Sequence, residues 1–167
     1  PTPRSLFMTL THLVHRGESV WRLIRAALDG AQAPAALLAR LYVAQVFFSA
    51  GLAKVRDWDT TLALFHDEYQ VPWLSPALAA VAGTAGELVL PVLLALGLAG
   101  RLGALGLSVV NAVAVISLAE IAPAALQLHV TWGVLLAALA LYGPGRWSMD
   151  CLLVAPWLRQ RMAHRAP

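Results

Sequence analysis

The chain has 167 residues, 59% hydrophobic and 13% charged, with a formal net charge of +3 at neutral pH. A water-soluble domain of this length needs more polar surface, so composition points to a single membrane domain and leaves no room for a second globular one. The twelve basic residues flank apolar runs, which reads as topology and anionic-lipid contact, and no nucleic-acid partner is expected.

Residues 1–33 are expected to form a cytoplasmic interfacial arm. Within 5–29, Leu6, Leu10, Leu13, Val14, Trp21, Ile24 and Leu28 share one helical stripe, with His15, Arg16, Glu18, Arg22 and Arg25 off it. That period predicts an amphipathic helix in the headgroup layer, interrupted at Gly17; a disordered basic arm is the alternative. Asp29, Gly30 and Pro34 are expected to punctuate the start of the first span.

Four apolar segments follow, at roughly 34–55, 76–98, 102–119 and 124–142. Each is close to the ~20 residues that cross a hydrocarbon core of ~30 Å, the third being the shortest. They predict an all-α fold, a transmembrane four-helix antiparallel bundle occupying 34–153. Residues 56–75 are too polar to cross, and Trp58, Leu62, Phe65 and Tyr69 recur there at i, i+4, i+7 and i+11. An amphipathic loop helix on the outer face is therefore expected, ended by Val71-Pro72-Trp73 and Ser75-Pro76. The connections Ala99-Gly100-Arg101 and Glu120 to Pro123 are tight, so sequential spans should pack antiparallel. Ala79, Gly83 and Gly86, and Ala104, Ser108 and Ala112, permit close helix contact.

With four spans, Arg4, Arg16, Arg22, Arg25, Arg101, Arg146, Arg159, Arg161 and Arg165 all fall on one side, which the positive-inside rule makes the cytoplasm. Both termini are then cytoplasmic, and 154–167 is a basic cytoplasmic tail. The opposite side carries Asp57, Asp59, Asp67 and Glu68. Cys151 stands alone, so the chain has no dithiol and no intrachain disulfide. No secretory signal peptide is expected, because the first long apolar run starts at Pro34 without a small-residue cleavage pattern before it.

Glu87 is the least expected residue in this pattern. A carboxylate at a bilayer centre costs on the order of 2.5 to 3.5 kcal/mol on insertion scales, so it needs a partner, a proton or a wet cavity. At a rise of ~1.5 Å per residue, depths from the inner boundary are ~8 Å for Arg40, ~14 Å for Asn111, ~17 Å for Glu87, ~18 Å for Trp132 and ~23 Å for His129. Arg40, Phe47, Gly51 and Lys54 share one face at i, i+7, i+11 and i+14. Helical side chains lean toward their own N-terminus, which tips Arg40 toward the cytoplasm, Lys54 into the membrane and Glu87 outward. Lys54 is thus the better-aimed partner.

Glu87, Lys54 and His129 are the expected reactive groups of one pocket open to the outer face, with Arg40, Phe47, Asn111 and Trp132 as its ligand-binding residues and Asn111 as its floor. The plainer alternatives are snorkelling for Arg40, interfacial anchoring for Lys54, a helix cap for His129 and helix packing for Asn111. No metal site is expected: His12, His15 and Glu18 lie on a basic exposed segment, and His66, Asp67 and Glu68 on the outer loop are no better placed.

The string Arg40-Leu41-Tyr42, Phe47-Phe48, Gly51 and Lys54, then Trp58, Phe65, Tyr69-Gln70-Val71-Pro72, Gly86-Glu87-Leu88, Pro91, Gly97 and Gly100-Arg101, resembles the DoxX family of bacterial inner-membrane proteins. His129, Trp132-Gly133, Gly143-Pro144-Gly145 and Asp150 are similar to that family's last span and exit. The resemblance covers 34–153. It implies a four-span bundle in the bacterial inner membrane, near redox systems: a related branch is the large subunit of a thiosulfate:quinone oxidoreductase, and others associate with oxidative-stress complexes or lie beside enzymes of copper-handling peptides. The expected function is a redox-accessory subunit binding a quinone or other small or lipid-like ligand, quinone being the one candidate cofactor. The alternative is a non-catalytic scaffold or maturation factor for a redox or metal-handling system. Membrane lipids, a membrane or periplasmic protein and a second copy of the chain are the partners that fit. A small-solute transporter fits less well, having too few spans and no broken-helix repeat.

Overall fold

The computed structural model describes residues 3–157 and 161, with side chains from residue 18 onward. The described chain is helical without strands, and its one β-type pairing is an isolated antiparallel bridge between Tyr69 and Leu118. It divides into two compact units, Pro1–Ala35 and Ala36–Pro167, and the candidate site lies wholly within the second.

Helix α1 runs unbroken from Pro3 to Arg56, so neither Gly17 nor the Asp29 to Pro34 stretch interrupts it as the sequence predicts. Pro34 withdraws one N–H, and its ring presses on the carbonyl four residues back, at Gly30. A side chain at Gly30 would meet nothing within 4 Å, so the backbone has room to yield, and the surrounding alanines sustain the helix. The predicted stripe from Leu6 to Val14, together with His12, His15 and most of the 154–167 tail, lies outside the described side chains.

Helix α2 (Trp58–Asp67) occupies the polar connection. Asp57 caps it, accepting from the Thr60 amide at 3.1 Å and the Thr60 hydroxyl at 2.8 Å, which lowers the pKa of its carboxyl. Phe65 of α2 packs with Ala79 and Ala80 at the start of α3 (Pro76–Leu96), and Tyr69 sits edge-on to Phe65 at 4.9 Å. Ser75 caps α3, and Pro76 takes the first turn, where its missing N–H costs nothing.

Helix α3 ends at Leu96 because Gly97 turns left-handed, with φ of 65°. Helix α4 (Gly100–Ile116) begins three residues later. Its first amides, of Ala99 and Gly100, donate to the Asp150 carboxylate at 2.8 and 2.9 Å, while the Asp150 amide donates to the Gly97 carbonyl at 3.0 Å. Helix α4 stops short of the predicted 119: the Ser117 carbonyl accepts from the Gln70 amide at 2.8 Å, and Leu118 pairs with Tyr69. The segment after α2 is thereby fastened to the end of α4. Helix α5 (Pro123–Tyr142) follows, then a π-helical turn over Asp150–Val154 that the periodicity of the sequence does not announce.

Val43 and Phe47 of α1, Leu94 of α3, Ala104 and Leu107 of α4, and Leu136 and Leu139 of α5 form one buried cluster. Gly106 permits the close α3–α4 contact, since a Cβ there would lie 2.8 Å from the end of the Leu90 side chain. Large apolar residues such as Leu102, Leu105, Val134 and Leu141 face outward. Three helical stretches, Glu18–Arg56, Pro76–Leu96 and Pro123–Tyr142, are long and apolar enough to cross a membrane, and α4 is a shorter apolar helix. An apolar exterior on apolar helices of this length makes this a membrane protein.

Candidate functional site

Glu87 lies in the middle of α3, and a glycine on α1 decides what can reach it. Gly51 stands one turn before Lys54 on α1, and a Cβ there would come within 3.0 Å of the Glu87 Cβ. Its bare backbone lets α1 approach α3 at this level. Gly83, one turn before Glu87, has the Phe65 ring 3.6 Å from where a Cβ would be, so α2 packs over the same region at ordinary contact distance. Pro91, fully buried one turn after Glu87, has no N–H to give the Glu87 carbonyl.

Across the α1–α3 gap the Lys54 Nζ donates to Glu87 Oε2 at 2.5 Å, with side-chain exposures of 23% and 10%. The carboxylate therefore has a cationic partner and almost no water, whereas the ammonium keeps a path outward. Breaking such a pair strands the more buried member.

The pair borders a cavity of about 440 Å³, in the range of small-molecule sites. Phe47 and Lys54 come from α1, Phe65 from α2, Glu87 from α3, Val110 from α4, Ser117 from the residue capping its end, and His129 and Trp132 from α5. Tyr69 and Leu74, from the segment between α2 and α3, also line it. The wall is chiefly apolar, with Lys54, Glu87, Tyr69, Ser117 and His129 as its polar groups. Burial first, then the negative charges of Glu68 and Glu87, push the Tyr69 phenol above the ordinary tyrosine value, so it stays a hydrogen-bond donor.

The aromatic side of the cavity is fixed by edge-to-face contacts. Trp132 meets Phe47 at 5.8 Å and His129 at 5.0 Å between ring centroids. Its indole N–H points away to the Tyr42 hydroxyl at 3.4 Å. His129 Nδ1 lies 2.8 Å from Asn111 Oδ1, and Asn111 Nδ2 donates to the His129 carbonyl at 3.0 Å.

Five of the seven residues expected at the site, Glu87, Lys54, His129, Phe47 and Trp132, thus line one cavity. Asn111 does not form its floor: it is buried behind His129 and holds it. Arg40 is elsewhere. It is fully buried, donates through Nη1 to the Ala95 carbonyl at 3.3 Å and through Nη2 to the Trp147 carbonyl at 2.5 Å, and so ties the end of α3 to the exit segment. A guanidinium committed to backbone carbonyls in this way neither snorkels nor reaches the cavity. Tyr69, Phe65 and Ser117 are wall residues that sequence reasoning does not assign. For the first two the signal is the apolar stripe of the loop helix, which turns its face onto the cavity.

Among the described residues no group of three His, Cys, Asp or Glu is arranged to hold a metal ion. The arrangement instead offers a neutral or anionic ligand one apolar slot, donors at Lys54 and Tyr69, and a ring nitrogen at His129.

The sequence profile of the DoxX family matches residues 35–120, just over half of the chain. No curated protein and no solved structure matches it. The profile match takes in α2, α3, α4 and the α1 face bearing Arg40 to Lys54; α5, with His129 and Trp132, lies beyond it.

Proposed function

This chain belongs to the DoxX family, and from that premise we propose that it is a redox-accessory subunit of the bacterial inner membrane that binds a quinone or similar ring-bearing lipid between its helices. In this reading 34–153 is the membrane domain, α1, α3, α4 and α5 cross as a four-helix antiparallel bundle, and both termini are cytoplasmic, as the distribution of arginines favours. Helix α2, amphipathic, then lies on the outer face and covers the cavity.

The observation that carries the reading is the Lys54–Glu87 pair on the rim of an otherwise apolar cavity of about 440 Å³. A pair of opposite charge buried at this depth is not the cheapest way to hold two helices together, since apolar residues of similar volume do as well or better. It is a useful way to give a ligand oxygen a hydrogen-bond donor beside a group that can exchange a proton. With a single cysteine the chain has no dithiol, so electrons would reach a bound quinone from a partner protein. The fully exposed Trp73, on the segment after α2, supports a docking point on the outer face.

Titration of the purified protein with a short-chain benzoquinone, followed by quenching of Trp132 fluorescence with Trp132→Phe as the blank, tests this. The expected result is saturable quenching that weakens at least about tenfold in the double variant Lys54→Met with Glu87→Leu, which removes the charged donor to the quinone oxygen. Unsaturable quenching, identical in the two proteins, would mean mere partitioning into detergent and would reject the proposal.

A further inference from the structure

The contacts that hold His129 also decide which of its nitrogens a ligand can use. Asn111 Nδ2 faces the His129 carbonyl at 3.0 Å, and a carbonyl oxygen can only accept, so the amide nitrogen must be the atom on that side. The other end of the same amide, facing His129 Nδ1 at 2.8 Å, is then the oxygen. An oxygen there requires a proton on Nδ1. A singly protonated ring therefore carries its proton on Nδ1 and leaves the Nε2 lone pair free.

Both the amide orientation and the ring position are fixed independently. The backbone carbonyl pins the amide, and Trp132 packs edge-to-face on the ring at 5.0 Å. Asn111 is buried and off the cavity wall, while His129 is on it. With Nδ1 committed to Asn111, Nε2 has no hydrogen-bond partner among the described residues. Its ring lines a cavity on whose wall Lys54 and Tyr69 are donors, while the other acceptor there, Glu87, is already paired with Lys54.

From this we infer that Asn111 is a positioning residue, and that the site takes a ligand whose ring carries a donating hydroxyl, set against His129 Nε2. In the quinone reading, on which this inference rests, that ligand is the hydroquinone form, whose hydroxyl donates its hydrogen bond to His129 Nε2. A quinone carbonyl oxygen offers Nε2 only a second acceptor, and a methyl ether offers it nothing to accept from. The preference follows from the cost of leaving an acceptor unpaired when a ligand covers it.

Two measurements on the full chain test it. With [15N]histidine label, and the His129 signals assigned by their loss in His129→Gln, the ring should show the protonated shift on Nδ1 and the lone-pair shift on Nε2. In Asn111→Leu the proton should move toward Nε2. Lone-pair character on Nδ1 of the unmodified protein would overturn the inference at once. In parallel, a short-chain hydroquinone kept reduced, the matching quinone and the hydroquinone dimethyl ether are titrated by Trp132 quenching. The hydroquinone should bind about tenfold or more tightly than the dimethyl ether, and Asn111→Leu should remove most of that ratio while leaving quinone binding within a few-fold. Saturable quinone binding with no preference for the hydroquinone would overturn this inference and leave the quinone reading standing. If none of the three binds saturably, both fall.

Discussion

Lys54→Met is expected to cost about 3 kcal/mol of folding stability, the lower end for breaking a mostly buried ion pair by removing one partner. The Glu87 carboxylate would then be left at 10% side-chain exposure with no counter-charge. Glu87→Leu should be milder and leave the protein inserted and folded, because Lys54, at 23% exposure near the end of α1, can swing its ammonium outward on a flexible stem. Lys54→Met combined with Glu87→Leu replaces the pair by apolar volume and should recover to within about 1 kcal/mol of the parent. Unfolding of the four proteins in mixed micelles gives the double-mutant cycle, with a coupling of roughly 2 kcal/mol expected. Additive losses would show that the two side chains do not depend on one another. Ligand affinity separates from stability in the same set: the double variant should be firmly folded and bind poorly.

Among the described glycines, Gly97 is where a change to alanine should be most damaging. Gly97 has φ of 65°, a conformation that costs an L-residue roughly 1 to 2 kcal/mol. The added Cβ would also fall against Arg40 Nη1 and lie 3.0 Å from the Ser148 Cα. Both neighbours are fixed, Arg40 by its bonds to the Ala95 and Trp147 carbonyls and Ser148 by its hydroxyl bond to the Gly145 carbonyl at 2.7 Å. Overpacking of this kind adds about 1 to 3 kcal/mol, so a total of roughly 2 to 5 kcal/mol is expected. Gly30→Ala is the matched control. A methyl at Gly30, inside α1, meets nothing within 4 Å, and exchanging glycine for alanine in a helix gains up to about 1 kcal/mol. Thermal unfolding should shift in opposite directions for the two variants. A shift of equal sign and size would remove the special role assigned to the turn between α3 and α4.

The contact between Lys54 and Glu87 is legible in the sequence because it follows from helix period, side-chain lean and the intolerance of an apolar medium for a lone charge. The same rules put Phe47 on the lysine face of α1 and His129 and Trp132 at a matching height. Arg40 and Asn111 are not legible in that way. Their partners are the carbonyls of Ala95, Trp147 and His129, and a backbone carbonyl leaves no mark in a sequence, so a buried guanidinium that staples turns looks the same as one that faces a ligand. The continuity of α1 through Pro34 was hidden for a related reason: whether a proline breaks a helix depends on the room around the residue four before it. The stripe of α2 is visible, but not that its segment is pinned to Ser117 and Leu118, which turns an interfacial helix into one wall of the cavity.

The most direct test of the central claim is to ask where a ring-bearing lipid rests. A photoreactive short-chain quinone, activated on the full-length protein in lipid nanodiscs and mapped by peptide mass spectrometry, is expected to label the cavity segments 46–54, 109–118 and 129–132. Unlabelled quinone should compete the signal away. Labelling spread over outward-facing residues such as Leu102 and Val134, and insensitive to competitor, would contradict the account.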